Sequence, residues 1–374
     1  MLEVAIVSLI HDTGKLIASL AGVALSATLL LVQLGLFAGF LDTSSALIRH
    51  VGGDVWVMAR GTEVLDNGEA LSIAARDVAQ AHPCVERVRA VVSAIVPLRK
   101  PSGALDRVQV VGIEEPQRPV VPWSLVRGLL SDLALPLRVT VDEHDLDKLQ
   151  IRGEPIGATL SVAGSTAHVA GVTTKIRSFA LAPYLFTSVD NARQLTHAGE
   201  GQAHYFVAEL REPGCAAEVT QHVDAHPDLE ALTTSAFAER TETYWVFGSG
   251  AGAALGFSAL FGLIVGAVIV GQTLFSITKE HLRELATLKA MGASRRELIA
   301  FVGWQAAFLG VVGGLVGGLI AFALESILSA NGIQVVLSPL VLAVGAVAVL
   351  SMCVLASVPS ARKVLAVEAA EVFR

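Results

Sequence analysis

The stretch Leu16–Phe40, LIASLAGVALSATLLLVQLGLFAGF, contains no Asp, Glu, Lys or Arg. About 20 consecutive apolar residues suffice to cross the hydrocarbon core of a bilayer, so this segment reads as a membrane-spanning helix. It is too long for the apolar region of a signal peptide, Glu3 and Asp12 spoil a positive leader, and no small-residue cleavage pattern precedes Asp42. It is therefore expected to be retained, behind a cytoplasmic amphipathic segment at 1–15.

Three further uncharged stretches lie far downstream, at Tyr244–Thr278, Leu298–Leu324 and Ile327–Ala361. The last begins with the turn-like Ser329-Ala330-Asn331-Gly332 and contains Pro339. Proline suits a first helical turn, which places the fourth span at 340–358. The chain is 53% hydrophobic and only 16% charged, against about 25% charged in ordinary domains. Its charge is segmental, gathered mainly between Asp42 and Glu242.

The expected order is a first span at 16–40, an outer domain at 41–243, a second span with a stalk at 244–277, a connecting helix at 278–297, a third span at 298–324, an outer loop at 325–339, a fourth span at 340–358 and a tail at 359–374. Orientation follows from Lys and Arg in short flanks. Lys279, Arg283, Lys289, Arg295 and Arg296 place the connection between the second and third spans inside, as do Lys15 for the N-terminus and Arg362, Lys363 and Arg374 for the tail. The third-to-fourth connection has Glu325 and no Lys or Arg, which fits the outside. All of these agree with four crossings in a cytoplasmic membrane, with both termini cytoplasmic.

Between Asp42 and Glu242 lie 26 acidic and 18 basic residues, a net charge of −8. No concentration of positive charge supports nucleic-acid binding. Short β-branched runs at Val55–Met58, Val88–Ile95, Val108–Gly112, Ala158–Val162, Ala167–Val172 and Tyr205–Leu210 predict strands. Helical patterns at Ser72–Ala81, Asp142–Leu149 and Cys215–Ala225 alternate with them. The result is an α+β domain, expected in two lobes divided within the proline-rich interval Pro116–Pro136. The polar, helix-compatible Ala236–Tyr244 predicts that the second span extends outward as a continuous stalk.

No phosphate-binding G-x-x-x-x-G-K-[ST] loop is present: Gly14-Lys15 is followed by Leu16, and Leu9 stands where the first glycine belongs. Lys15 reads as an interfacial anchor. Asp142, Glu143, His144, Asp145 and Asp147 could be cited as metal ligands, but without calcium-loop spacing they read as acidic residues at a helix start. Cys84 and Cys215 share the outer compartment, so a disulfide between them is an available pairing that spacing cannot decide. Cys353 falls inside the fourth span. Gly248, Gly252, Gly256, Gly262 and Gly266 in the second span, and Gly310, Gly314 and Gly318 with Gly313 and Gly317 in the third, recur at the spacing of close helix packing. No charged residue sits mid-span, which argues against an ion or proton relay.

Between Thr278 and Glu297, Leu282, Leu285, Leu288 and Met291 occupy much of one helical face, and Gly292 ends the run. Such a helix can lie in the headgroup layer or insert into a partner.

The string Glu280-His281-Leu282-Arg283-Glu284-Leu285-Ala286-Thr287-Leu288-Lys289-Ala290-Met291-Gly292-Ala293-Ser294 resembles the region after the second span in MacB/FtsX-type ABC transporter permeases, closest to the DevC branch. Val32-Gln33-Leu34-Gly35, Asp54-Val55-Trp56-Val57-Met58, Pro183-Tyr184-Leu185-Phe186-Thr187-Ser188, Tyr244-Trp245 and Val270-Gly271-Gln272-Thr273-Leu274 carry the same resemblance. Gln305 departs from it, standing where many relatives have Glu. The resemblance implies a type VII ABC permease-like fold: four transmembrane α-helices with a MacB-like periplasmic α+β domain between the first two. It further implies a dimer of permeases served by a separate cytoplasmic ATPase, which binds ATP and Mg while this chain holds no cofactor. Glu280, His281, Arg283, Glu284, Thr287, Lys289, Gly292, Ala293 and Ser294 are then the ATPase-coupling residues. A HlyD-like adaptor and an outer-membrane duct are the implied export partners. Activation of a cell-wall hydrolase, as in FtsX, is the alternative within the family. A transmembrane sensor would lack an output module, and a membrane-embedded enzyme would lack a catalytic constellation.

Overall fold

The computed structural model describes residues 13–114, 122–176, 182–280, 287, 289, 293–330 and 333–366. The chain divides into two compact units, Leu41–Gly250 and the combination of Met1–Phe40 with Ala251–Arg374.

The second of these is helical. Helix α1 (Thr13–Val51) opens the chain. After the outer unit come α7 (Ala251–Glu280), α8 (Arg295–Ala330), α9 (Pro339–Ala356) and the short α10 (Val358–Ala366). Four of the helices are long and apolar enough to cross a membrane. They meet in a core of Val23, Ala27, Leu30, Val270, Leu274, Leu309, Val349 and Met352. Helix α9 begins as a proline at its first position predicts, with the Ser338 hydroxyl accepting a hydrogen bond from the Val341 N–H.

The outer unit is built on one ten-stranded sheet. Its elements in order are β1 (Val55–Ala59), α2 (Ile73–Gln80), β2 (Val85–Arg99), β3 (Leu105–Ile113), β4 (Leu125–Gly128), β5 (Arg138–Asp142), α3 (Leu146–Leu149), β6 (Thr159–Val162), β7 (Ser165–Thr173), β8 (Tyr184–Ser188), α4 (Val189–Thr196), β9 (Tyr205–Leu210), α5 (Ala216–Asp224), β10 (Leu229–Thr233) and α6 (Thr234–Thr243). The main path runs β10-β1-β9-β2-β6-β7-β4, with β3 on β2, β8 on β3 and β5 on β7.

This corrects the place of the proline-rich interval as a break in the sheet, which runs on across it. Strand β2 is 15 residues long and joins what the proline-rich interval was expected to divide: it pairs with β9 at its start, with β3 through Val91–Arg99, and with β6 at Leu98 and Arg99. Residues 115–121 of that interval lie outside the described residues. A large core containing Val57, Val88, Val110, Val139, Val169, Leu185 and Phe206 covers one side. A second, more aromatic core gathers Trp56, Tyr205, Phe186 and Phe237 with Leu47, Ile48 and Val51.

The stalk needs a second correction. Helix α6 gives way to a π-helical turn at Tyr244–Gly248, and Gly250 takes a positive φ of 76° before α7 begins. A right-handed helix cannot pass through that conformation, so no continuous helix links 236 to the second span. The uninterrupted element is α1, which continues past the expected end at Phe40 and stops only before Gly52 and Gly53, whose φ values are 71° and 81°.

Candidate functional site

Of the residues expected to couple to an ATPase, His281, Arg283, Glu284 and Gly292 lie outside the described residues. Thr287 and Lys289 are helical. The described ends of the connection are tied to its own unit. Glu280 forms an ion pair with Lys15 at the start of α1, and the Lys289 ammonium donates to the Leu365 carbonyl at 3.3 Å. Ala293 packs against the cluster Leu298, Phe301, Val302 and Val364.

Ser294 opens α8 with a reciprocal cap. Its N–H and hydroxyl donate to the Glu297 carboxylate at 2.7 and 2.8 Å, and the Glu297 N–H donates back to the Ser294 hydroxyl at 3.3 Å. The spacing is that of a capping box, which satisfies helix donors that have no partner within the helix. The described residues of the connection thus contact α1, α8 and α10.

The glycines separate into two groups. A Cβ on Gly313 would meet Val23 at 2.6 Å, one on Gly317 would meet the Ala24 carbonyl at 2.5 Å, and one on Gly266 would meet Ser26 at 2.4 Å. Gly310 lies against Leu350 and Cys353 at 3.0 and 3.3 Å. These are close backbone approaches, and Thr28 reinforces one of them by donating to the Gly317 carbonyl at 3.0 Å. At Gly262, Gly314 and Gly318 the first contact is an ordinary 3.6, 3.6 and 3.9 Å. Gly314 and Gly318 instead line, with Leu31, Leu319, Leu342 and Gly345, an apolar groove of about 470 Å³.

Gly256 faces open space and Gly252 is half-buried. Gly248 sits in the π turn, where a Cβ would meet only the nearby Tyr244. The expected helix-packing role therefore does not extend to Gly248 or Gly256 within this chain. Gly22, Gly35 and Gly345, not anticipated from spacing, are as tightly approached, with contacts of 2.3, 2.6 and 2.4 Å.

The outward end of α1 carries contacts that the sequence reading missed. Glu242 on α6 accepts a hydrogen bond from the Ser45 hydroxyl at 2.6 Å and pairs with Arg49 at 2.5 Å. Arg89 on β2, 1% exposed, donates to the last helical carbonyl, Val51, at 3.3 Å and pairs with Glu209 at 3.0 Å. A guanidinium at a helix C-terminus answers both the open carbonyls and the negative end of the dipole. His50 stacks on Trp123 with ring centres 3.9 Å apart. The only signals in sequence were isolated charges with no periodicity.

Cys84 and Cys215 are joined in a disulfide, 131 residues apart in the chain. Asp142 is buried as a structural acceptor, taking hydrogen bonds from the Ile176 N–H at 2.9 Å, the Thr173 hydroxyl at 3.1 Å and the His144 N–H at 3.1 Å. Elsewhere in the outer unit, burial raises the carboxyl of Asp66 above its usual range, against the opposing hydrogen bond from Gln109. The hydrogen bond from Arg240 holds Glu230 below its own. Cys353 in α9 is a free, buried thiol.

Two family models cover this architecture in the same order: the MacB-like periplasmic core domain over residues 16–226 and the FtsX-like permease C-terminal domain over residues 256–369. The first alone spans more than half of the chain. The chain belongs to the MacB/FtsX-like permease family.

Curated relatives of this permease include uncharacterised ABC transporter permeases from Mycobacterium bovis and Mycobacterium tuberculosis. Each is 25% identical over 223 residues, 59% of this chain and 59% of the relative. The permease thus matches somewhat over half the length of those relatives. Among solved structures, the periplasmic region of MacB from Actinobacillus actinomycetemcomitans aligns over 52% of this chain and 95% of its own, at 14% identity and a TM-score of 0.39. The extracellular domain of the transporter YknZ from Gram-positive bacteria covers 48% of this chain and 98% of its own, at 11% identity and a TM-score of 0.36.

Proposed function

We propose that this permease is the transmembrane subunit of an ABC-type exporter of the cytoplasmic membrane, with both termini cytoplasmic, and that it converts ATP-driven motion of a separate ATPase into motion of its outer domain. The observation that carries the reading is α1. Its inward end bears the ion pair to Glu280, and its outward end, Leu47, Ile48 and Val51, is part of the aromatic core of the outer unit. One unbroken helix therefore belongs to both the coupling region and the outer core. The second span contributes Glu280 to the relay but does not transmit through a stalk.

ATP and Mg are bound by the partner, and a second copy of the permease completes the transporter. The resemblance at 280–294 supports reading that segment as the docking element for the ATPase. Export proceeds with a HlyD-like adaptor and an outer-membrane duct as in DevC-type relatives, and the cargo is taken from the outer side of the membrane.

The test is ATPase activity of the candidate partner reconstituted with wild-type permease or with a Glu284→Lys, Gly292→Pro double variant. Wild type is expected to bind and modulate the ATPase, and a folded, inserted variant to do neither. Equal behaviour of the two would remove the coupling assignment. Copurification with a cell-wall hydrolase in place of an adaptor would replace export by hydrolase activation.

A further inference from the structure

We propose that Arg89 is the positioning residue through which displacement of α1 reaches the sheet of the outer unit; this rests on the transmission reading above and names the joint at its outer end. Helix α1 stops where Gly52 and Gly53 take φ values of 71° and 81°, and β1 begins two residues later at Val55, already paired with Ala208 of β9. The short turn between them is held on three sides. The Asp54 carboxylate accepts from the Leu210 N–H at 2.8 Å, and the hydroxyl of Thr234, the first residue of α6, donates to the Gly53 carbonyl at 2.6 Å. A Cβ on Gly53 would meet a Val207 methyl at 2.2 Å, so the turn lies directly on β9.

These contacts fix the turn, whereas Arg89 ties the helix itself to the sheet. One guanidinium nitrogen, Nη2, donates to the Val51 carbonyl at 3.3 Å and pairs with the Glu209 carboxylate at 3.0 Å. Glu209 on β9 also holds Arg87, two residues before Arg89 on β2, at 2.8 Å. At 1% exposure Arg89 is shielded from water. A buried charge is tolerated only while it is paired and hydrogen-bonded, and the open carbonyls at a helix C-terminus supply one half of that pairing. Movement of Val51 must therefore carry the guanidinium, and β2 and β9 with it, or strip a buried charge of a partner.

The second tie at this end of α1 runs to α6 rather than to the sheet, from Ser45 and Arg49 to Glu242. The Arg49 side chain is 52% exposed, and exposed ion pairs are weak and screened by salt. The buried joint is the stiffer of the two. It also enters the sheet at a strand that reaches far: β2 runs for 15 residues and hydrogen-bonds to β9, β3 and β6. A displacement received at Arg89 is thus shared with three neighbouring strands.

The test follows hydrogen exchange, from seconds to hours, in the full-length permease–ATPase complex with and without a nonhydrolysable ATP analogue, for wild type, Arg89→Met and Arg89→Lys. Thermal unfolding checks that each variant is folded; should Arg89→Met not fold, Arg89→Lys, which keeps the charge but not the forked guanidinium, is read alone. In wild type, nucleotide should change protection at Leu47–Val51 and in β2 and β9. In Arg89→Met the change at Leu47–Val51 should remain while the change in β2 and β9 disappears, and in Arg89→Lys the strand change should fall at least about twofold. A residue that only stabilises the fold would lower protection equally with and without nucleotide and leave the difference intact. Arg89 is ruled out as the joint if the nucleotide-dependent change in β2 and β9 is undiminished in every folded variant, or if wild type responds at Leu47–Val51 but not in the strands. No response of wild type at either place would instead overturn the transmission reading itself, and this proposal with it.

Discussion

In the outer unit the large apolar side chains point inward, whereas in the membrane unit many point outward. Trp56, Phe186, Phe206 and Phe237 are buried, while Phe257, Phe261, Leu319 and Phe322 are 62%, 64%, 72% and 65% exposed. Water drives the first arrangement, because burying apolar surface is favourable there. Lipid removes that drive between helices, leaving close packing and interhelical hydrogen bonds as the source of cohesion. The inward faces of the membrane helices accordingly use Gly22, Gly266, Gly313 and Gly317, where backbone approaches too closely for a side chain. The two units therefore fail in different ways: the outer one through lost volume and the membrane one through added volume.

The strongest challenge to this contrast is a pair of substitutions on adjacent residues. Gly317→Leu should abolish recovery of a monodisperse permease from detergent, because its Cβ already meets the Ala24 carbonyl at 2.5 Å. Gly318→Leu, whose Cβ first meets Leu31 at 3.9 Å and whose side chain can enter the adjoining groove, should purify as wild type does. Size-exclusion profiles decide; equal loss in both would mean that helix spacing here is not set by glycine contacts.

A smaller effect sharpens the outer side of the comparison. Phe206→Ala empties a fully buried position and should destabilise the outer unit by about 3–5 kcal/mol, read as a loss of denaturation midpoint by near-ultraviolet circular dichroism. A loss within experimental error would show that the sheet core collapses around the missing ring.

The smallest expected effect is electrostatic. Glu230 pairs with Arg240 at 2.6 Å, and their hydrogen bond lowers the glutamate's pKa on folding. A carboxyl depressed in the folded state contributes stability above its unfolded pKa and loses it as pH falls through the folded value. Glu230→Gln should cost under about 1 kcal/mol at pH 7, and the difference from wild type should begin to shrink as pH falls below about 4.3 and vanish only below the depressed folded value. A difference that persists at low pH would make the residue's role one of packing.

The membrane spans were legible because uncharged runs of this length have few other readings. Six strands were legible from β-branched runs. The missed strands carry weaker signals: Leu125–Gly128 is short and ends in glycine, Arg138–Asp142 follows Pro136 and runs into the acidic cluster, and Leu229–Thr233 carries a glutamate at its second position. Tyr184–Ser188 was noticed only as a family motif. The break at Ser249-Gly250 escaped because glycine is common in membrane helices, and nothing local to Gly250 announces a positive φ.

The continuation of α1 to Val51 was hidden for the opposite reason. Asp42, Arg49 and His50 end the apolar run, so they mark where the span ends but not where the helix ends. The glycine spacing indicated candidate faces without showing which face met a neighbour. At the coupling segment the family motif was legible, whereas Ser45, Arg49, Arg89 and Glu242 became a group only through tertiary structure.

Transmission through α1 is tested most directly by inserting Gly-Gly between Phe40 and Leu41 and comparing hydrogen exchange in the permease–ATPase complex with and without a nonhydrolysable ATP analogue. In the wild-type complex, nucleotide should change protection at Leu47–Val51 and in α6. In the insertion variant the ATPase should still bind the permease, but those outer changes should vanish. The same changes in both complexes would contradict transmission through the first helix.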